Sequence, residues 1–286
     1  MKTPSLPFPA PPTALLRATA LELFVLAGHA LLYPTGIAGE RHPGRTPADD
    51  EGSEPADHPD IAPTDRPPVV FLHGFIDNRS VFVLLRRSLA RHGWRHLESL
   101  NYSPLTSDIR TAAELLDRHI EEICARTGHH RVDIVGHSLG GLIARYYVQR
   151  LAGDHRVRTL VTLGTPHSGT AVAPLAGALP IVRQMRRGSA PVEELRLPAP
   201  GCRTRFVSFW SELDRVIVPA DAACVDHPDL DAVNVRVTGI GHLALPVHPA
   251  VAAAVRQALD EAEPVQEAPR STPGTAPGTT RTTPAA

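Results

Sequence analysis

The chain has 286 residues, of which 42% are apolar, so it can bury one substantial hydrophobic core. Its 29 Lys and Arg residues nearly balance 30 Asp and Glu residues, and the net charge of −1 gives no electrostatic basis for binding nucleic acid. The three cysteines lack Cys-x-x-Cys spacing, which argues against a zinc site. Cys202 and Cys224 could pair with each other if the protein is exported.

Residues 1–68 precede the predicted domain. Residues 13–33 are mostly apolar and favour a helix, but their longest stretch without a formal charge, 23–33, is too short to span a bilayer. Three interpretations stay open: a cleaved signal peptide, a helix in peripheral contact with a membrane, and a helix packed on the domain itself. Glu22 argues against the signal peptide, and overall we favour an exported or membrane-peripheral location over a cytoplasmic one. Residues 39–68 carry seven prolines and many acidic residues, which predicts a linker.

From residue 69 onward, strand patterns alternate with helical patterns, which predicts a mainly parallel sheet with helices on both faces. The predicted strands cover residues 69–72, 96–102, 157–163, 204–210 and 232–237, with another beginning at 132. The predicted helices cover residues 79–92, 108–127, 139–151 and 248–259, the first of them capped by Asp77 or Asn78. We place the domain at 69–260, with a small helical lid at about 171–201, and a disordered tail at 261–286. A surface excursion without a catalytic role is the alternative to the lid.

Gly136-His137-Ser138-Leu139-Gly140 fits the pattern G-x-S-x-G, which holds a nucleophilic serine in a sharp turn between a strand and a helix. Glycine is needed on both sides because such a turn brings the backbone before and after the serine close together. The start of the helix also directs free N–H groups and the positive end of its dipole towards the serine oxygen. A pattern this short also arises by chance, so further signals are needed.

His73-Gly74-Phe75 follows the first predicted strand. In a serine hydrolase, the loop after this strand supplies the second N–H group of the oxyanion hole. We therefore predict that the backbone N–H groups of Phe75 and Leu139 bind the oxyanion. Without Ser138, Gly74 would be read as an ordinary turn glycine.

A third motif, Gly164-Thr165-Pro166-His167-Ser168-Gly169-Thr170, follows the strand at 157–163. Together the three motifs resemble those of bacterial lipases and esterases of the α/β-hydrolase superfamily, over about residues 67–259. The resemblance implies an α/β-hydrolase fold, hydrolysis of carboxylic esters without an organic cofactor, and a triad in the chain order Ser, Asp or Glu, His. It also implies that His167 is structural and that His73 and His137 are not the base. Some bacterial lipases bind calcium, but we assign no carboxylates of this chain to such an ion.

The triad order directs the search for the acid to the chain beyond Ser138. Asp214 comes just after the strand at 204–210, where the acid of a triad belongs, and it is our choice. Glu212 is the nearest rival. Asp221 and Asp226 are poorer candidates because they lie deeper in the loop.

His242 is our choice for the base, because it lies in a glycine-bordered loop after the last predicted strand. His248 is the alternative, but it begins the closing helix. A histidine base also predicts that activity rises with pH near its unperturbed pKa of about 6.5.

Three functions are compatible with these motifs. The first is hydrolysis of carboxylic esters through an acyl-enzyme, with a lipase ahead of an esterase for small esters. The second is acyl transfer or amide hydrolysis on the same scaffold, and the third is a binding protein without catalysis. The expected partner is an ester or lipid substrate, and the sequence leaves the oligomeric state open.

Overall fold

A computed structural model describes residues 13, 16, 19–23, 66–75, 77–102, 108–171 and 179–261. Its centre is a six-stranded sheet in the order β2-β1-β3-β4-β5-β6, and all neighbouring strands are parallel. The strands are β1 (Val69–Leu72), β2 (Leu97–Leu100), β3 (Val132–His137), β4 (Val157–Leu163), β5 (Arg205–Ser211) and β6 (Asp231–Val237). The predicted tail and most of the predicted linker and N-terminal helix lie outside the described residues.

Helices cover both faces of this sheet. They are α1 (Val83–Arg91), α2 (Ile109–Thr127), α3 (Leu139–Arg150), α4 (Pro180–Gln184), α5 (Ala190–Glu194) and α6 (Pro249–Asp260). Strand β1 is buried on both sides: Val70 and Leu72 belong to the core with α2 and α3, whereas Val69 and Phe71 belong to the core with α1 and α6. Unbroken apolar strands of this kind are typical of parallel sheets. The predicted fold class is confirmed.

The ends of the elements differ slightly from the predictions. Asn78, and not Asp77, is the N-cap before α1, since its side chain accepts a hydrogen bond from the N–H of Ser80 at 2.9 Å. Residues 79–82 form a 3-10 turn, so the helix predicted at 79–92 becomes α-helical only at residue 83. Asp108 caps α2 as expected, accepting from the N–H of Thr111 at 2.7 Å. Strand β2 is shorter than predicted because only four of its residues pair with β1.

Two short helices, α4 and α5, lie in the described part of the predicted lid, and residues 172–178 lie outside the described part. The buried guanidinium of Arg145 on α3 connects this segment to the domain. It donates to the carbonyl of Leu195 at 3.2 Å and to that of His167 at 3.3 Å. The second half of the segment is therefore anchored, and its role as a lid stays a prediction.

The structure also bears on a disulfide, a membrane-spanning helix and a metal site. Cys124, Cys202 and Cys224 are all free thiols, so Cys202 and Cys224 do not pair in this structure. Within the described ranges, no helix is long and apolar enough to cross a membrane, and no group of three or more His, Cys, Asp or Glu side chains could hold a metal ion.

Candidate active site

Ser138 lies in a strained turn between β3 and α3. Its φ of 52° and ψ of −118° are a conformation that residues with a side chain rarely adopt. Hydrogen bonds from the N–H of Ser138 to the carbonyl of Leu163 at 2.9 Å, and from the Thr165 hydroxyl to the carbonyl of Ser138 at 3.0 Å, hold the turn. The surrounding structure thus maintains a backbone that positions this side chain at the end of the strand.

The two motif glycines are required by close backbone contacts. A Cβ on Gly136 would lie 2.5 Å from the backbone nitrogen of Gly141, and a Cβ on Gly140 would lie 2.3 Å from the carbonyl oxygen of Leu72. Both distances are far below van der Waals contact. Gly136 therefore lets β3 pack tightly against the start of α3, and Gly140 lets α3 pack tightly against the end of β1, because neither glycine has a side chain.

Asp214 follows β5 in a tight turn that orients its carboxylate. One oxygen, Oδ1, accepts hydrogen bonds from the N–H groups of Val216 and Ile217, both at 2.8 Å. The other oxygen, Oδ2, lies 2.7 Å from Nδ1 of His242. The side chains of this pair are 1% and 4% exposed. The turn therefore leaves one carboxylate oxygen for the imidazole, and His242 keeps Nε2 for another partner.

Ser138 and the Asp214–His242 pair lie at the same edge of the sheet, because β3, β5 and β6 are parallel and each of these residues follows the carboxyl end of its strand. His137, the neighbour of Ser138, links the two parts. Its ring centroid is 4.8 Å from that of His242, and its Nε2 lies 3.3 Å from the carbonyl oxygen of His242. Gly164 packs against the pair, since a Cβ there would lie 3.0 Å from Nδ1 of His242.

The pKa of His242 is raised above its ordinary value. Burial by itself would lower this pKa, but the charge and hydrogen bond of Asp214 act in the opposite direction, and so do the charges of Glu22 and Asp77. A midpoint near 6.5 was expected for an unperturbed histidine, so the structure places the titration of His242 higher than the sequence alone suggested.

The loop at residues 73–75 lies directly beside Ser138. A Cβ on Gly74 would lie 3.4 Å from Cβ of Ser138, so the N–H group of Phe75 is in the neighbourhood of the serine. Leu139 begins α3, and the first N–H groups of a helix have no partner within it. The loop after β1 and the start of α3 therefore both adjoin Ser138, and the binding of an oxyanion by the N–H groups of Phe75 and Leu139 stays a prediction.

The rival carboxylates have other surroundings. Glu212 forms an ion pair with Arg236, and Asp221 lies in the 3-10 turn at 220–223. Asp226 follows that turn, farther along the chain from the carboxyl end of β5 than Asp214. The rival histidine, His248, is the N-cap residue of α6 and makes no capping hydrogen bond through its side chain. Among the candidate carboxylates, Asp214 is the one hydrogen-bonded to His242.

The other motif histidines are buried within the loops. His167 shares a hydrogen bond of 3.0 Å with the Thr162 hydroxyl, and burial holds its pKa well below the ordinary value. The ring of His73 stacks on that of Tyr102 with the centroids 4.4 Å apart. These contacts are compatible with the structural role that the motif implied for His167.

Two carboxylates near His242 were not predicted as parts of the site. Asp77, considered only as a cap, lies with Oδ2 3.2 Å from Nδ1 of His137, and both side chains are buried. Glu22, noticed only as an interruption of an apolar segment, accepts hydrogen bonds from the N–H groups of Leu243 and Ala244. An acidic residue within an apolar helix was the available signal for Glu22, but its partners are more than 200 residues away in the sequence.

A parallel sheet covered on both faces, with a serine at a strained strand-to-helix turn and a buried carboxylate–imidazole pair at the same edge, defines the α/β hydrolases as a class. Residues 67–187 match the family model described as alpha/beta hydrolase fold. The resemblance of this chain to bacterial lipases and esterases of that superfamily, predicted from its motifs, is confirmed.

Curated relatives include two bacterial triacylglycerol lipases. The protein of Pseudarthrobacter phenanthrenivorans is 30% identical over 116 residues, which cover 38% of this chain and 35% of the relative. That of Burkholderia plantarii is also 30% identical over 116 residues, covering 38% of this chain and 32% of the relative. The matches thus span about a third of the length of these relatives.

Solved structures with the same fold include two lipases. The mature form of Bacillus licheniformis lipase BlEst2 aligns with a TM-score of 0.59 at 18% identity, covering 72% of this chain and 96% of that chain. Aspergillus fumigatus lipase B aligns with a TM-score of 0.61 at 16% identity, covering 71% of this chain and 55% of that chain. At these identities the similarity concerns the fold.

Proposed function

We propose that this protein is a serine hydrolase of carboxylic esters that acts through an acyl-enzyme on Ser138, with lipid esters as its substrates. The observation that carries the proposal is the buried hydrogen bond of 2.7 Å between Asp214 and His242, at the sheet edge where Ser138 lies in its strained turn. Such a pair beside a serine is the arrangement that activates this otherwise weak nucleophile.

The proposed reaction follows from the hydrogen bonds. Since Asp214 occupies Nδ1 of His242, Nε2 is the nitrogen that takes the proton of Ser138 as the hydroxyl attacks the ester carbonyl. The N–H groups of Phe75 and Leu139 bind the oxyanion, and each such donor is typically worth about 3 kcal/mol. His242 then gives its proton to the leaving alcohol. In the second half, His242 activates water, which releases the acid from Ser138.

Two observations support lipid esters over other substrates. The curated relatives are named triacylglycerol lipases. In addition, Val216 and Val218, in the turn that follows Asp214, are 41% and 38% exposed, so apolar side chains lie at the surface beside the site. An apolar rim suits an acyl chain or a lipid surface.

Labelling with a fluorophosphonate probe tests the serine hydrolase directly. We expect the wild-type protein and Ser168→Ala, a control at a nearby serine, to be labelled, and Ser138→Ala to remain unlabelled. Equal labelling of Ser138→Ala would refute the assignment. Para-nitrophenyl esters of increasing chain length then separate the substrate classes, and a preference for acetyl or butyryl esters would exclude the lipase in favour of a small-ester esterase.

Peripheral membrane contact through residues 13–33 is part of the same proposal. Leu16 and Leu23 are 70% and 63% exposed and lie seven residues apart, hence on one face of a helix. We expect the double variant Leu16→Ser/Leu23→Ser to sediment less with phosphatidylcholine vesicles than the wild-type protein. Equal sedimentation would exclude this contact.

A further inference from the structure

Glu22 is bound to the loop that carries His242. Its oxygen Oε2 accepts a hydrogen bond from the N–H of Leu243, and Oε1 accepts one from the N–H of Ala244, both at 3.0 Å. One carboxylate thus holds two successive N–H groups immediately after the histidine. Hydrogen bonds with a charged partner are among the stronger ones in proteins.

Gly241, the residue before His242, leaves room for this carboxylate because it has no side chain. A Cβ on Gly241 would lie 2.7 Å from Cδ of Glu22 and 2.8 Å from its Oε1. Glu22 therefore contacts the backbone on both sides of His242, at Gly241 and at Leu243. A carboxylate in this place limits the positions that the backbone of His242 can take.

Glu22 is also one of several charged or titratable groups that face His242. Asp214, Glu22 and Asp77 all favour the charged form of the imidazole, whereas the neighbouring His137 opposes it when protonated. Loss of the charge of Glu22 would remove one of the effects that raise the pKa of His242, so this pKa would fall.

We propose that Glu22 is a positioning residue that fixes the loop of His242 and stabilises the imidazolium formed during the reaction. The proposal rests on the proposed function, because it requires His242 to act as the base. It gives the segment before the domain a part in the site: an acidic residue from the N-terminal segment completes the support of the histidine.

The test uses the full chain and compares Glu22→Gln, Glu22→Ala and Glu22→Asp with the wild-type protein. Glu121→Gln is the matched control, because Glu121 pairs with Arg156 near the end of α2, at the edge of the sheet opposite the site. The measurement is kcat/KM for a para-nitrophenyl ester between pH 5 and 9. The rates are corrected for the active fraction by fluorophosphonate titration, so that misfolded protein does not enter the result.

Charge and positioning have separate expected effects. In Glu22→Gln and Glu22→Ala, the acid limb should move to lower pH by about half a unit, because a negative charge near His242 is lost. The plateau of kcat/KM should fall about 3-fold to 10-fold in Glu22→Gln, which keeps one accepting oxygen. It should fall further in Glu22→Ala, which keeps none, since a small misplacement of a catalytic group costs up to about 100-fold. Glu22→Asp keeps the charge, so its acid limb should stay within about 0.2 units of the wild-type limb.

The failures can be told apart. If Glu22→Gln and Glu22→Ala show the acid limb and plateau of the wild-type protein, Glu22 only packs against the loop and the proposal is wrong, while the hydrolase assignment stands. A wild-type protein that neither reacts with the probe nor turns over esters overturns the proposed function and this proposal with it. The proposal also predicts that a form whose intact mass places its N-terminus after residue 22 has a lower kcat/KM than the full chain, and equal values for the two forms would contradict it.

Discussion

Replacing Asp214 by Asn tests the arrangement of the site most sharply, because the structure dictates how the amide must sit. The N–H groups of Val216 and Ile217 both point at Oδ1, so the amide oxygen has to take that place. The NH2 group then faces Nδ1 of His242, 2.7 Å from the position of the present acceptor. A donor in that position requires Nδ1 to accept, which moves the imidazole proton to Nε2. In that tautomer His242 cannot take the proton of Ser138.

The size of the effect follows from two losses. If His242 keeps its proton on Nδ1, as the reaction requires, that N–H faces the NH2 group of the new amide, and two donors meet. The lost hydrogen bond to a charged group then costs about 2 kcal/mol. The imidazolium would also lack the charge of Asp214, which is worth up to about 4 kcal/mol for two charges about 4 Å apart at an effective dielectric constant of 20. A combined loss of about 5 kcal/mol corresponds to roughly a 10⁴-fold lower kcat/KM. The same change in a known Ser-His-Asp triad lowers kcat by about 10⁴-fold, which agrees with this figure.

The assay is kcat/KM for a para-nitrophenyl ester at pH 8, together with thermal unfolding. Asn has nearly the shape of Asp, so the variant should remain folded and the activity loss should not reflect lost structure. Glu212→Gln is the matched control, and it should leave kcat/KM within about 2-fold, because Glu212 pairs with Arg236 at the surface. A loss of less than about 10-fold in Asp214→Asn would refute the reasoning, and a large loss in Glu212→Gln would identify that residue as the acid.

The remaining predictions concern the titration of the base, the turn and the buried ion pair of β3. The logarithm of kcat/KM should rise with pH through a midpoint above 6.5, because the proposed base is neutral His242 and its pKa is raised; a midpoint at or below 6.5 would contradict this. Gly140→Ala should lower the free energy of unfolding by about 3 kcal/mol in urea titrations, because its Cβ would lie 2.3 Å from the carbonyl oxygen of Leu72; unchanged stability would show that the turn adapts. Arg158→Ala should lower the free energy of unfolding by about 3 to 5 kcal/mol, because the fully buried carboxylate of Asp133 loses its ion-pair partner. Adding Asp133→Asn should restore part of that stability, and a double variant without any recovery would exclude this cause.

Local patterns were sufficient to predict the sheet and the places where the candidate residues lie. Strand β1 could be recognised because a strand buried on both faces is apolar without interruption. Asp214 and His242 could be chosen because, in a parallel sheet, the carboxyl ends of the strands meet at one edge. The choice needed the triad order that the resemblance implied and the position of each residue after its strand.

Contacts between distant segments could not be predicted in this way. Glu22 and the loop of His242 are separated by more than 200 residues, and no periodic pattern encodes that contact. Asp77 and Asn78 were equal candidates for a cap by residue type, and the tertiary structure separated them: Asn78 takes the cap, while Asp77 pairs with His137. The raised pKa of His242 was missed for the same reason, since it depends on carboxylates from three separate parts of the chain.

The carboxylates of Asp214, Glu22 and Asp77 have two opposite effects on the proposed base, one on the rate at high pH and one on the activity at low pH. His242 is buried, and burial alone disfavours the imidazolium that the proposed mechanism forms each time Ser138 or water loses its proton. Asp214, Glu22 and Asp77 offset that cost, and in the proposed mechanism this favours the transition states of both half-reactions. The same charges also stabilise the imidazolium in the resting protein, where it is inactive, so any gain in rate on the plateau is accompanied by a loss of activity at low pH. A variant that removes one of these charges should therefore become slower at high pH and lose a smaller share of its rate on acidification, whereas a purely structural defect would lower the rate equally at every pH.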